Sequence, residues 1–136
     1  MKKRTVCKVL LTLLFASMLK AQEEKKDTLY FNYDKDYLKA YNNEYEQGTI
    51  YLKDSSDAGQ GTFFFQATDT LFHLNPKKVL CLKEFVRSSK FYNKHKTKKL
   101  DDYRLWEYLN RYQIFLVKEN ENKKYYLDVF AYFVIE

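Results

Sequence analysis

The last stretch of the chain limits its folds more than any other. Lys124 to Ile135 reads Lys-Tyr-Tyr-Leu-Asp-Val-Phe-Ala-Tyr-Phe-Val-Ile, rich in β-branched and aromatic residues and free of Gly and Pro. Side chains of a strand alternate between faces, so Leu127, Val129, Ala131 and Phe133 point one way, and Tyr126, Phe130, Tyr132 and Val134 the other. Both sets are apolar or aromatic. Such a strand is central in its sheet, or has a partner on its second side. Gln113 to Lys118 has the same character, and the polar Glu119-Asn-Glu-Asn122 between them is a turn, so the chain ends in a hairpin.

Upstream, Thr28 to Tyr33 and Thr49 to Lys53 read as strands. Asp54 to Gly61 is a loop holding two of the three glycines. Thr62 to Ala67 and Thr70 to Leu74 are strand material, one long strand bent near Asp69. The segment between the first two strands has two readings. Tyr33, Tyr37, Tyr41 and Tyr45 recur every four residues, which fits a helix from about Lys35 to Glu46, capped by Asp34 and stopped at Gly48. The poor helix formers Asn42 and Asn43 favour a short strand and a turn instead.

Asn75-Pro76 has the chemistry of a helix start. A helix from there to about Phe91 puts Val79, Cys81, Leu82, Phe85, Val86 and Ser89 on one arc, with Lys83, Arg87 and Lys90 opposite. Asn93 to Lys99 is a basic connector. A second helix, capped by Asp101 or Asp102, runs to about Tyr112 with Leu105, Trp106, Tyr108 and Leu109 on its apolar side. The expected fold is α+β: an antiparallel sheet of about five to six strands with a helical pair packed on one face.

Residues 1–21 read as a signal peptide. Lys2, Lys3, Arg4 and Lys8 precede an apolar run from Val9 to Leu19, too short to span a bilayer, and Ala21 stands where cleavage is expected. Cys7 precedes the run, so no lipid-bearing Cys starts the mature chain. Residues 22–136 then form a single domain, exported to the periplasm or beyond, with no stable membrane insertion after cleavage. The net charge of +6 falls to +1, because five basic residues leave with the leader and all 18 acids remain. That balance, with export, argues against nucleic acid as a partner. The remaining positive charge is local: Lys77 to Lys99 holds nine basic residues and one acid, Glu84. Lys83, Arg87, Lys90 and Lys94 of this stretch are the candidate partner-binding residues; otherwise it is a solvated helix face and connector.

Catalytic and metal signatures are weak. Cys81 is the only mature cysteine and shares an arc with Leu82 and Phe85, which reads as a buried free thiol rather than a nucleophile. His73 and His95 show no paired ligand spacing, and lysines flank His95. Asp34 and Asp36, and Asp54 and Asp57, do not follow the calcium-loop pattern. Gly59-Gln-Gly61 is not a phosphate loop, and Ser55, Ser56, Ser88 and Ser89 lack a nucleophile elbow. No catalytic residue, cofactor or metal site is therefore expected. A hydrolase remains only as His73 working with Asp69 or Cys81.

The 24 aromatics outside the leader exceed what a small core holds, so several tyrosines must be exposed. Exposed Tyr and Trp favour protein interfaces and sugar stacking. The expected function is an exported binding protein without catalytic activity, of inhibitor or immunity type, with a protein partner; the alternative is a glycan-binding accessory protein using Tyr or Trp106.

The leader, with its Lys-rich start and Leu-Lys-Ala21 before Gln22, resembles those of Gram-negative Bacteroidota, and the aromatic, Lys- and Asn-rich chain is similar in cast to small exported proteins of that group. The resemblance implies the periplasm or beyond and carries no activity with it.

Overall fold

The computed structural model describes residues 27–41, 47–56, 61–93 and 99–135. The leader, the Asn42-Asn43 turn, Asp57, Gly59, Gln60, Lys94 and His95 lie outside them. In chain order the elements are β1 (Thr28–Asn32), β2 (Leu38–Tyr41), β3 (Thr49–Leu52), β4 (Thr62–Leu71), α1 (Leu82–Val86), β5 (Tyr92–Asn93), β6 (Lys99–Leu100), α2 (Asp102–Leu109), β7 (Gln113–Asn120) and β8 (Lys123–Val134).

Six strands form one sheet in the order β1-β7-β8-β4-β3-β2, and β5 and β6 pair separately. The doubly apolar strand β8 is central, between β7 and β4. Its hairpin with β7 closes through Glu121 and Asn122, whose φ angles of 50° and 68° are those of the tight turn that matches strand twist. β4 is a single strand whose register shifts between Ala67 and Asp69, the bend expected there.

Three expectations need correction. The sheet is mixed, not antiparallel: β1 runs parallel to β7, with Thr28 opposite Gln113 and Asn32 opposite Val117. A parallel pair needs a long crossover, and here nearly the whole chain between β1 and β7 supplies it, so no local pattern marks the strand's direction. The fold is mostly sheet with two short helices, rather than a clean α+β. The helix expected from Asn75 to Phe91 is likewise reduced to Leu82–Val86. Sheet pairing displaces its first turns. The Leu80 N–H donates to the Tyr30 carbonyl at 2.8 Å, and Leu80's own carbonyl accepts from Asn32 N–H at 3.0 Å, so this segment lies along the free edge of β1. Asn32 then caps α1 from a distance, its Oδ1 accepting from Leu82 N–H at 2.9 Å, since Cys81 offers no side-chain cap. Pairing and a borrowed cap thus outweigh the helical propensity of the preceding residues.

Between the two readings of the tyrosine-rich segment, Leu38–Tyr41 is strand β2. Asp34 begins the preceding turn, its Oδ1 accepting from Asp36 N–H at 3.0 Å. The second helix stands near its expected place, with Asp101 accepting from Arg104 N–H at 3.1 Å.

One face of the sheet carries the core. Phe31, Ile50, Phe63, Phe65, Ile114, Leu116 and Val129 meet Leu82 and Val86 of α1, Leu105 and Leu109 of α2, and Phe91 and Leu100 beside β5 and β6, all buried. Gly61 enters β4 at φ 93°, where an added Cβ would meet the Phe133 ring. Both helices contribute to this face, as the sequence implies.

Candidate functional site: an uncovered aromatic sheet face

The register fixes what the opposite face presents. Phe64 pairs with Tyr132 across β4 and β8, Tyr51 with Phe64 across β3 and β4, and Phe115 with Asp128 across β7 and β8. Rings therefore run across the strands. Tyr41 meets Tyr51 edge-on at 5.4 Å, Tyr51 meets Phe64 at 5.5 Å, and Phe64 stacks on Tyr132 at 5.6 Å with only 13° between planes. Further along, Tyr30 stacks on Phe115 at 5.3 Å and meets Tyr126 edge-on. Such cross-strand ring pairs stabilise the sheet by up to ~1 kcal/mol each.

Among the described residues no helix covers this face. Phe130 is 51% exposed, Tyr132 46%, Val134 43% and Tyr41 41%. The second apolar side of β8 is thus left without the cover that its sequence calls for. A contiguous exposed apolar patch of this kind marks an interaction surface in small proteins.

The patch carries an acidic pair. Asp69 lies directly opposite Asp128, beside the bend in β4. Burial, and then the charge of Asp69, raise the Asp128 carboxyl above its usual value. Like charges in cross-strand register oppose folding. Nothing in the sequence marked these residues as neighbours, because they lie far apart in the chain and meet only through the β4–β8 register.

The other expected residues are scattered. Arg87 is tied down at the surface, half-exposed. Its Nε and Nη2 donate to the two carboxylate oxygens of Asp54 at 2.8 and 3.1 Å, and Tyr37 Oη donates to Asp54 Oδ2 at 2.8 Å. Burial alone would raise the Asp54 carboxyl; the hydrogen bonds from Arg87 and Tyr37 and the Arg87 charge outweigh it and hold the group below its usual value. Burial, and then the bond to Asp54, keep the Tyr37 phenol protonated far above its usual range. Lys83 is exposed on α1, and Lys90 lies over the Tyr108 ring at 5.6 Å. The described basic residues expected to act together thus divide among a half-exposed ion pair, an exposed helix and a ring contact.

Cys81 is exposed at the start of α1, because the helix begins only after it; its burial was an expectation drawn from a longer helix. His73 is also exposed, and among the described residues no hydrogen bond joins His73, Cys81 and Asp69. Ser55 Oγ donates to the Phe63 carbonyl at 2.9 Å, a structural tie. Trp106 is half-buried and packs against Tyr103 and Phe133 on the core side. Among the described residues no group of three His, Cys, Asp or Glu is placed to hold a metal, and no helix is long and apolar enough to cross a membrane.

Sequence reading took Asp102 for a helix cap only. It is buried, and its carboxylate accepts from Ser56 Oγ at 2.7 Å, Phe63 N–H at 2.9 Å and Ser56 N–H at 3.1 Å. It ties α2 to the start of β4. The adjacent Asp101-Asp102 pair was the available signal: one acid suffices for a cap, so the second had another task.

Comparison of the chain with protein-family models, curated proteins and solved structures finds no match.

Proposed function

We propose that the protein is an exported, non-catalytic interaction module, of inhibitor or immunity type, that docks a partner protein on the uncovered face of its sheet. The observation that carries this reading is the exposed row on β8, with Phe130, Tyr132 and Val134 unburied on a rigid central strand. Phe130 and Val134 have no polar group, so water gains nothing from them. Burying a large apolar side chain completely contributes ~1.5–3 kcal/mol, so covering these half-exposed groups contributes roughly half of that each. The partner's matching surface is flat and apolar, with a Lys or Arg positioned to offset the Asp69–Asp128 repulsion.

A glycan reading is supported by one specific feature. Tyr132 is 46% exposed and held by its stack on Phe64, so it is an anchored ring available for stacking on a sugar.

The test is capture from periplasmic extract on the mature chain, then titration of the identified partner in pure form. Phe130→Ser with Tyr132→Ser is expected to abolish capture while the far-UV spectrum is unchanged. Saturable binding on a glycan array, lost in the same variant, would transfer the function to sugar recognition. Equal capture by variant and parent would exclude this face.

A further inference from the structure

The uncovered sheet face carries opposite charges at opposite corners. Lys39 lies opposite Tyr51, Tyr51 opposite Phe64, and Phe64 opposite Tyr132, so Lys39 stands on this face at the β2 edge. Asp69 and Asp128 stand on it together, four residues back along β8 from Tyr132. Strand rise and strand spacing put the lysine roughly 17–20 Å from the acid pair. Glu119 and Lys124, also on this side, lie directly opposite one another near the β7–β8 turn and offset each other. Among the described residues none of Lys39, Asp69 and Asp128 has an ion-pair partner, and the charge acting on Asp128 is that of Asp69.

Between and beside these corners lie the rings, with Tyr41, Phe130 and Tyr132 about half exposed. Along one diagonal the face is therefore positive, aromatic, then negative. A surface in that order is complementary to itself. Turned over about a two-fold axis in the plane of contact, it sets Lys39 of each copy on the acid pair of the other and rings against rings, and every pairing is made twice. Two sheets pack face to face in this manner about 10 Å apart. The flat apolar surface and the cation that this face calls for are thus both present on the chain itself.

The area sets the strength. A large aromatic buries ~150–250 Å² when covered, so Tyr41, Phe130 and Tyr132 offer roughly 300 Å² per copy, and Val134, Tyr51 and Phe64 around them bring this to about 500 Å². A dimer then covers about 1,000 Å² in all, the lower limit for a specific interface, which makes it weak and dependent on concentration.

We propose that the protein self-associates through this face as a two-fold dimer in which Lys39 of each copy meets Asp69 and Asp128 of the other. Such a dimer rests on the reading of the face as a docking surface, and a second copy of the chain is what covers it. A foreign protein competes for the same rings.

The test is sedimentation equilibrium on the mature chain over a wide concentration range. The parent is expected to pass from monomer to dimer with a dissociation constant on the order of tens of micromolar. Phe130→Ser with Tyr132→Ser is expected to leave only monomer. Lys39→Glu alone, or Asp69→Lys with Asp128→Asn, turns attraction into repulsion at two symmetry-related contacts and is expected to weaken the dimer at least about fivefold. All three substitutions together restore opposite charges and are expected to return the dissociation constant to within about twofold of the parent. Urea midpoints check that each variant keeps the fold. A parent that stays monomeric, or a triple variant no better than Lys39→Glu, overturns the inference. A monomeric parent that still captures a foreign protein through Phe130 and Tyr132 removes the dimer but keeps the docking face. A dimer unchanged by Phe130→Ser with Tyr132→Ser overturns the use of this face altogether.

Discussion

Asp102→Ala tests whether one buried carboxylate holds the two halves of the core together. The acid is 4% exposed and accepts from three donors: Ser56 N–H, Ser56 Oγ and Phe63 N–H. Truncation removes all three acceptor contacts. The Ser56 hydroxyl can rotate to water or another acceptor, but the two backbone N–H groups cannot move without disturbing the entry to β4. A buried donor left unsatisfied costs ~1–3 kcal/mol. Two such groups, with the loss of an acid in the first turn of α2, give an expected loss of about 3–5 kcal/mol. That is a third or more of the stability usual for a domain of this size. Trp106, half-buried beside Phe133, reports it as urea unfolding followed by fluorescence. Ser56→Ala provides the internal control: it deletes only the hydroxyl bond and is expected to cost about 1 kcal/mol. Asp102→Asn keeps an acceptor oxygen but loses the charge, and should fall between the two. A loss below about 1 kcal/mol for Asp102→Ala, or equal losses for Asp102→Ala and Ser56→Ala, would refute the reasoning, since the backbone donors would then have found other partners.

Three further outcomes follow from the same geometry. Asp128→Asn should stabilise the protein at neutral pH. The folded state raises this group's pKa, so its favourable contribution exists only below the unfolded carboxyl value and is lost as pH rises through the folded one; the gain in the variant should therefore vanish near pH ~4, read from urea midpoints across pH. Tyr37→Phe removes one hydrogen bond from Asp54 and should cost about 1 kcal/mol. Because Asp54 is held below its usual value, its contribution is present above the unfolded carboxyl pKa and lost as pH falls through the folded one, so the variant's acid unfolding should also lose part of its steepness. Glu121→Asn with Asn122→Gly places residues suited to positive φ in the β7–β8 turn and should raise stability by about 1 kcal/mol in thermal unfolding.

What could be read in advance, and what could not, divides along the range of the interaction responsible. The β7–β8 hairpin, the bend in β4 and the start of α2 at Asp101 were legible, because alternation, turn residues and caps act over a few neighbours. The parallel approach of β1 to β7 was not, since its cause is a crossover of most of the chain. The lost turns of the first helix show the same competition more sharply: residues near Asn75-Pro76 carry a sound local signal, but Leu80 has two hydrogen bonds to β1 available, and Asn32 replaces the cap that Cys81 lacks.

The candidate surfaces divide in the same way. The exposed side of β8 was visible as an alternation with apolar residues on both faces, and that side is the uncovered face of the sheet. The basic stretch from Lys77 to Lys99 was visible too, but Lys83, Arg87 and Lys90 were read as one face of a long helix followed by a basic connector. With that helix cut back, Arg87 pairs with Asp54 in the loop after β3, and Lys90 lies over the Tyr108 ring of α2. A charge run therefore specifies the presence of cations but not their company. Their company is set by the tertiary fold, which gives Arg87 the Asp54 carboxylate and Lys90 the Tyr108 ring, both from segments distant in the chain.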